Sequence, residues 1–231
     1  MDMTSALALG LGSAWASGIN LYMTALIIGG LGAAGVVDLP PDLQVLQSPT
    51  VLVAAVVLYA IEFLADKIPG VDSLNDMVHT FIRIPAGALL AMGSVSDISE
   101  PWQAVAALVL GGLVSAGSHA AKTGTRALIN TTPEPFSNWF ASIFEDVIVL
   151  VGLLLALFKP VLFLAWMAAF ALFLLWLLPK LWRGLKMIWQ RLQTFRETGR
   201  AAEGGGRSMV SSLVGPPAAS GSGDQPPAPR P

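Results

Sequence analysis

The feature that most constrains this chain is a charged stretch set in surroundings too apolar for it. From Glu62 to Arg83 the sequence reads EFLADKIPGVDSLNDMVHTFIR, with Glu62, Asp66, Lys67, Asp72, Asp76, His79 and Arg83, and long apolar runs flank it on both sides. Only 12% of the residues are charged and 54% are hydrophobic, with a mean hydropathy of +0.67. Soluble domains carry about 25% charged residues. Half that share, with several apolar runs long enough to cross a bilayer, points to a membrane protein. Charge is costly at membrane depth, so a charged cluster there is by default a candidate site.

In order along the chain, the apolar pattern predicts an all-α protein of about six transmembrane helices. Residues 5–36 exceed the ~20 residues of one crossing. They read as one long tilted helix or as two pieces broken near Ser17-Gly18, where small and polar residues interrupt the run. Pro40-Pro41 stops this segment. A second span starts near Pro49 and Pro69-Gly70 ends it in a turn. A third covers about 72–94, with a kink expected at Pro85 and Gly87. The fourth covers 102–130, apolar at first and polar from Ser118 onward. The fifth covers about 136–158 and carries Glu145 and Asp146. The sixth, 160–179, has no charge between Lys159 and Lys180. Residues 180–196 have one apolar face beside Arg183, Lys186, Arg191 and Arg196 and read as a basic interfacial helix suited to anionic lipids. Residues 197–231, rich in Gly, Ser, Pro and Ala, read as a disordered tail. The tryptophans read as interface-belt residues.

Of the thirteen Lys and Arg, six lie between Lys180 and Arg200 and five before Lys180. The positive-inside rule then sets the C-terminus in the cytoplasm, and six spans bring the N-terminus there too. The opening MDMTS lacks a basic n-region, so no cleavable signal peptide is expected. Residues 6–27 (ALALGLGSAWASGINLYMTALI) and 107–129 (ALVLGGLVSAGSHAAKTGTRALI) align with one gap. They are the first and fourth spans, an odd offset, so the copies would cross in opposite directions. That is the pattern of inverted repeats, here about 5–94 and 102–179 of a membrane domain spanning 1–179. The matching polar interruptions are Ser17–Asn20 and Ser118–Lys122.

Helical spacing sorts the ionisable residues by face. Glu62 and Asp66 stand i, i+4. Asp72, Asp76, His79 and Arg83 step by four, three and four, as do Ser115, His119, Lys122 and Arg126. Glu145 and Asp146 add two acids from the fifth segment. The candidate ion- or substrate-binding set is therefore Glu62, Asp66, Asp76, His79, Arg83, His119, Lys122, Arg126, Glu145 and Asp146, whose opposite charges can pair internally. Asp66, Lys67 and Asp72 fit either this cluster or a wet cytoplasmic turn, and Arg126 fits either the cluster or a snorkelling position near a span end. Alternatives for the whole are static ion pairs that fix helix packing, and four full spans with segments such as 72–94 entering as re-entrant hairpins.

No Walker A loop, GxSxG or dinucleotide fingerprint is present, and no nucleophile is recognisably placed. The two histidines lack a metal-site spacing such as HExxH. No cofactor, metal or nucleic-acid partner is expected. The expected partners are the lipid bilayer, anionic lipids at 180–200, and a small ion or anionic substrate; a homo-oligomer is left open.

The segments ASGINLYMTALIIGG, IEFLADKIPGVDSLNDMVHTFIRIPAGALLA, HAAKTGTRALIN and PEPFSNWFASIFEDV resemble the bacterial membrane family catalogued as domain of unknown function 4126. The resemblance covers roughly residues 10–160. Its most specific pieces are Glu-x-x-x-Asp-Lys-x-Pro at 62–69 and the acid pair at 145–146. It implies an integral membrane protein, in a bacterial inner membrane, and no particular substrate. The functional expectation is a small transporter or flippase for an ion or an anionic small molecule or lipid. The alternatives are a non-transporting scaffold and, third, an enzyme acting on a lipid headgroup.

Overall fold

Helix α1 (Met3–Ala33) begins at an N-cap, Asp2, whose carboxylate accepts from Ser5 N at 3.1 Å. The bonds from Ser5 hold that carboxyl below its ordinary value. The helix ends in a left-handed turn at Gly35 (φ 69°), where the N–H groups of Gly35 and Val36 return to the carbonyls of Gly32 and Leu31. Between its ends α1 is broken. Asn20 adopts φ −147° and ψ 98°, so the helix is two pieces joined at that residue. The break lies two to three residues beyond Ser17-Gly18 because Asn20 can cap the second piece: its Oδ1 accepts from Met23 N at 3.0 Å, and its carbonyl accepts from Thr24 Oγ1 at 2.7 Å.

The computed structural model describes residues 1–68, 71–97, 100–129, 135–173, 175–176 and 179, the side chains of 72, 73, 128 and 135 excepted. The expected interfacial helix at 180–196 and tail at 197–231 lie outside the described residues. After α1 come a 3-10 turn (Pro41–Gln47), α2 (Pro49–Ala65), α3 (Val71–Ser94), α4 (Pro101–Ile129), α5 (Pro135–Phe158) and the short apolar α6 (Pro160–Phe173). Ser48 caps α2, accepting from Val51 N at 3.3 Å, with Pro49 in the first turn. The 3-10 turn and α2 meet at 65°. The stretch 37–48 is thus partly helical rather than a plain loop, and it buries Leu39 and Leu43. Helix α3 continues through Pro85 instead of ending there.

The described residues are all-α. Three helices, α1, α4 and α5, are long and apolar enough to cross a membrane, and the bent pair of 3-10 turn and α2 makes a fourth candidate. Helix α3 has the length, but its inner face lowers its average: Asp76 and Arg83 are buried while Phe81, on the opposite side, is 80% exposed. The same inversion recurs on the other described helices of the unit formed by residues 1–174. Val53, Val57, Leu64, Leu113, Phe140 and Val151 face outward, while Glu62, Arg83 and Arg126 are at most 1% exposed. A water-soluble chain arranged this way would present large contiguous apolar patches. The arrangement suits a membrane protein, whose outer solvent is hydrocarbon.

Helix α1 is the centre, touching each of α2 to α5, and α3 with α4 is the most extensive pair. Small residues permit these approaches. A side chain at Gly111 of α4 would meet Ala91 and the Gly87 carbonyl of α3; one at Gly152 of α5 would meet the ring of Trp15. Trp15 is consequently a core residue, 2% exposed, and not an interface-belt tryptophan, whereas Trp102 and Trp139 are exposed.

Candidate functional site

The break in α1 leaves backbone carbonyls without helical partners, and α4 brings polar side chains up to them. Lys122 Nζ lies 3.1 Å from Ile19 O, and His119 Nδ1 lies 3.2 Å from Gly18 O. Ser17 and Ser115 hydroxyls are 3.3 Å apart. The close approach needs glycine at 18, since a β-carbon there would run into the Ser115 carbonyl and Ser118 Oγ. The two polar interruptions picked out of the sequence, Ser17–Asn20 and Ser118–Lys122, therefore face each other.

Around that contact the acids of α2, α3 and α5 converge on Lys122. Its ammonium is 3.1 Å from Asp66 Oδ2, 3.5 Å from Glu145 Oε2, 3.6 Å from Glu62 Oε1 and 3.7 Å from Asp76 Oδ1. Arg83 pairs with Glu62 and, at 3.1 Å, with Asp76. Arg126 holds both oxygens of Glu145, through Nε at 3.0 Å and Nη2 at 2.8 Å, and gives Nη1 to the carbonyls of Asp66 and Asn138, each at 3.2 Å. Asp66 and Asp76 are buried, so they are no wet turn, and Arg126 does not snorkel. The side chain of Asp72 lies outside the described residues. Lys67 turns from the cluster, its ammonium 3.1 Å from Phe63 O and 2.7 Å from the Phe63 ring centroid.

The histidines occupy two different places. Thr80 gives its hydroxyl proton to Asp76 O at 3.0 Å, so it accepts from His119 Nε2 at 2.7 Å. His119 Nδ1 then carries the lone pair, facing Arg83 Nη1 at 3.2 Å. A proton on Nδ1 would instead be donated to Gly18 O, so the ring has partners in both states. His79 lies at the rim. Its Nδ1 donates to Asn75 O at 2.8 Å and its Nε2 accepts from Tyr22 at 3.1 Å. Asp146 stands apart from Lys122, accepting from Asn20 Nδ2 at 3.0 Å and from Tyr59 at 2.8 Å, so it ties the break in α1 to α2.

Charge does not balance within this set. Glu62, Asp66, Asp76, Glu145 and Asp146 face Arg83, Lys122 and Arg126, with Lys67 beside Asp146 and Asp66; five acids against four bases leave −1 with both rings neutral. Glu62 Oε2, Asp66 Oδ1 and Asp76 Oδ2 have no hydrogen-bond partner among the described residues. A buried carboxylate in low dielectric recovers its hydration energy from a donor, a cation or a proton. Among the described residues no three His, Asp or Glu are grouped to hold a metal ion.

The model of the family described as Domain of unknown function (DUF4126) matches residues 7–180. The chain belongs to that family. No curated protein and no solved structure matches it. The DUF4126 match takes in every charged group of the cluster, from Glu62 to Asp146, and the broken part of α1.

Sequence reasoning passed over several groups that complete the site. Tyr22, Tyr59, Thr80 and the carbonyls of Gly18 and Ile19 contact the candidate residues. Carbonyls carry no letter in a sequence; the one signal for them was the polar interruption at Ser17–Asn20. Thr80 stands four residues after Asp76, on the same helix face, and could have been read with it.

Proposed function

We propose that this DUF4126 protein is a small membrane transporter whose buried cluster exchanges a proton or a monovalent cation. The observation that carries the reading is Lys122: a tethered ammonium held by a carbonyl of a broken helix and surrounded by four carboxylates. Unwound carbonyls at a helix break are the oxygen ligands by which discontinuous-helix transporters hold Na⁺ or H⁺. The excess of one acid favours a positive cargo or coupling ion. Arg83, Lys122 and Arg126 already face carboxylates, so an anionic cargo would have to displace them. His119 can take up a proton at Nδ1, which then donates to the Gly18 carbonyl while Nε2 goes on donating to Thr80.

The architecture that goes with this reading has six spans as two inverted three-helix repeats, about 5–94 and 102–179. It sits in a bacterial inner membrane with both termini in the cytoplasm. The contact of Ser17–Asn20 with Ser118–Lys122 supports it, since repeat-related interruptions meeting at mid-membrane are where such carriers place their site.

The test is flux in liposomes. Purified protein should dissipate an imposed pH or alkali-cation gradient, and Glu62→Gln should abolish the flux while the protein remains folded. No flux under any gradient, with Glu62→Gln behaving as wild type in cells, would sink the idea. A second reading, a non-transporting scaffold, draws on the bidentate Arg126–Glu145 pair and the Arg83–Glu62 pair, which link α4 to α5 and α3 to α2. In that case a charge swap between paired positions restores stability and function together.

A further inference from the structure

One cavity opens onto the charged cluster, and its chemistry is different from the cluster's own. It has a volume of about 230 Å³ and lies among α1, α4, α5 and α6. Its far wall is aromatic: Trp15, Phe144, Trp166 and Phe170, with Trp15 edge-on to Trp166 at 4.9 Å and Trp166 stacked on Phe170 at 5.9 Å. Its inner end is Lys122 and Glu145. Glu145, with a side chain 13% exposed, is the most open of the four acids around Lys122.

The polar groups of this wall decide the sign of what fits. Ser118 gives its hydroxyl proton to Ser115 O at 3.1 Å and Thr125 gives its own to Ala121 O at 2.9 Å, so both hydroxyls offer the cavity only lone pairs. Lys122 directs its ammonium at Ile19 O and Asp66. Glu145 is an acceptor throughout. Apart from the indole N–H of Trp15, unpartnered among the described residues, and the tethered ammonium of Lys122, the polar groups of the wall are acceptors, next to a cluster with one more acid than bases, and its π-faces attract cations. Size narrows the class further. A cavity of about 150 Å³ holds benzene, whereas drug-sized ligands fill about 300 Å³ or more. A two-chain lipid is far too large to be enclosed here, whereas a free small molecule of this size fits.

We infer that this cavity binds a small lipophilic monoamine in its ammonium form, of arylalkyl size, with the ammonium at Glu145 in competition with Arg126 and Lys122 and the hydrocarbon against Trp15, Trp166 and Phe170. The inference rests on the cation-carrier reading for its role, since it names the class of cargo, but the binding stands or falls separately.

The experiment measures binding by calorimetry and thermal unfolding on the full chain in detergent. The probes are phenethylammonium, its anionic counterpart phenylacetate and neutral ethylbenzene. Phenethylammonium should bind and raise the unfolding temperature, and phenylacetate should not. Glu145→Gln should weaken the ammonium by about tenfold or more, the loss of one hydrogen bond to a charged group. Ala141→Phe, which puts a ring into the cavity wall, should abolish binding while keeping the fold; it decides the matter if Glu145→Gln does not fold. Equal effects of all three probes would mean an apolar cleft that takes up detergent or lipid, and would overturn the inference. So would preference for phenylacetate, no binding of any probe, or full binding by Ala141→Phe. Binding without liposome flux sinks the carrier reading alone; flux of protons or alkali cations without amine binding sinks this one alone.

Discussion

Arg126 shows what a single side chain contributes at this site. Its planar fork takes both oxygens of Glu145 and two backbone carbonyls, one on α5 and one at the end of α2. Lysine keeps the charge but has no fork, so Arg126→Lys is expected to destabilise the protein despite being conservative in charge. Arg126→Gln should cost about 1–3 kcal/mol, because it strips both charge-assisted hydrogen bonds from the part-buried Glu145 carboxylate, which keeps only Lys122 at 3.5 Å. Neutralising Glu145 as well should recover much of that loss, an interaction of about 0.5–3 kcal/mol in a double-mutant cycle. Unfolding titrations of the four proteins measure it, and simple additivity would show that the pair is not coupled. At this scale the sequence was informative about identity and face. The i, i+4 spacing put Glu62 with Asp66, and Ser115, His119, Lys122 and Arg126 on one side of a helix. It was silent on depth: Asp66 and Arg126 looked equally suited to water, because burial depends on which helix lies alongside.

At the scale of the element, the break in α1 is what brings carbonyls to Lys122, and two kinds of residue maintain it. Asn20 caps the second piece through Met23 N and reaches Asp146. Asn20→Ala should cost about 1 kcal/mol from the cap alone, and more through Asp146. Gly18 admits α4. Gly18→Ala drives a methyl into the Ser115 carbonyl and should cost about 1–3 kcal/mol as an overpacked contact, whereas Gly30→Ala, with open space around it, should leave stability unchanged or raised. Thermal unfolding of the pair checks this directly; equal effects would mean the α1–α4 approach is not tight. The interruption at Ser17–Asn20 was visible in the sequence, but its residue of breakage was not. Glycine and serine are merely poor helix formers there, whereas Asn20 has a carboxylate on α5 to bond. Pro85, where the sequence predicts a kink, lies inside helix α3.

Across the whole molecule, residues 1–174 put charge inside and hydrocarbon outside, and that fixes what can be tested about topology. The chain has no cysteine, so single cysteines report without background. In the six-span arrangement, cysteines replacing Gly70 and Pro133 should label from the cytoplasm and one replacing Asp97 from outside. Labelling of Gly70 and Asp97 positions from the same side would instead make α3 a re-entrant segment. The sequence by itself determined that this is an all-α membrane protein, where its apolar segments lie and which residues carry charge, because composition and helical period are properties of a chain read in one dimension. Only the tertiary structure decided that Glu62, Asp66, Asp76 and Glu145 share one lysine, that a helix break supplies its carbonyl, and that an aromatic cavity opens beside it. Those are distances between segments up to 155 residues apart (Trp15 and Phe170), set by which small residues let which helices touch.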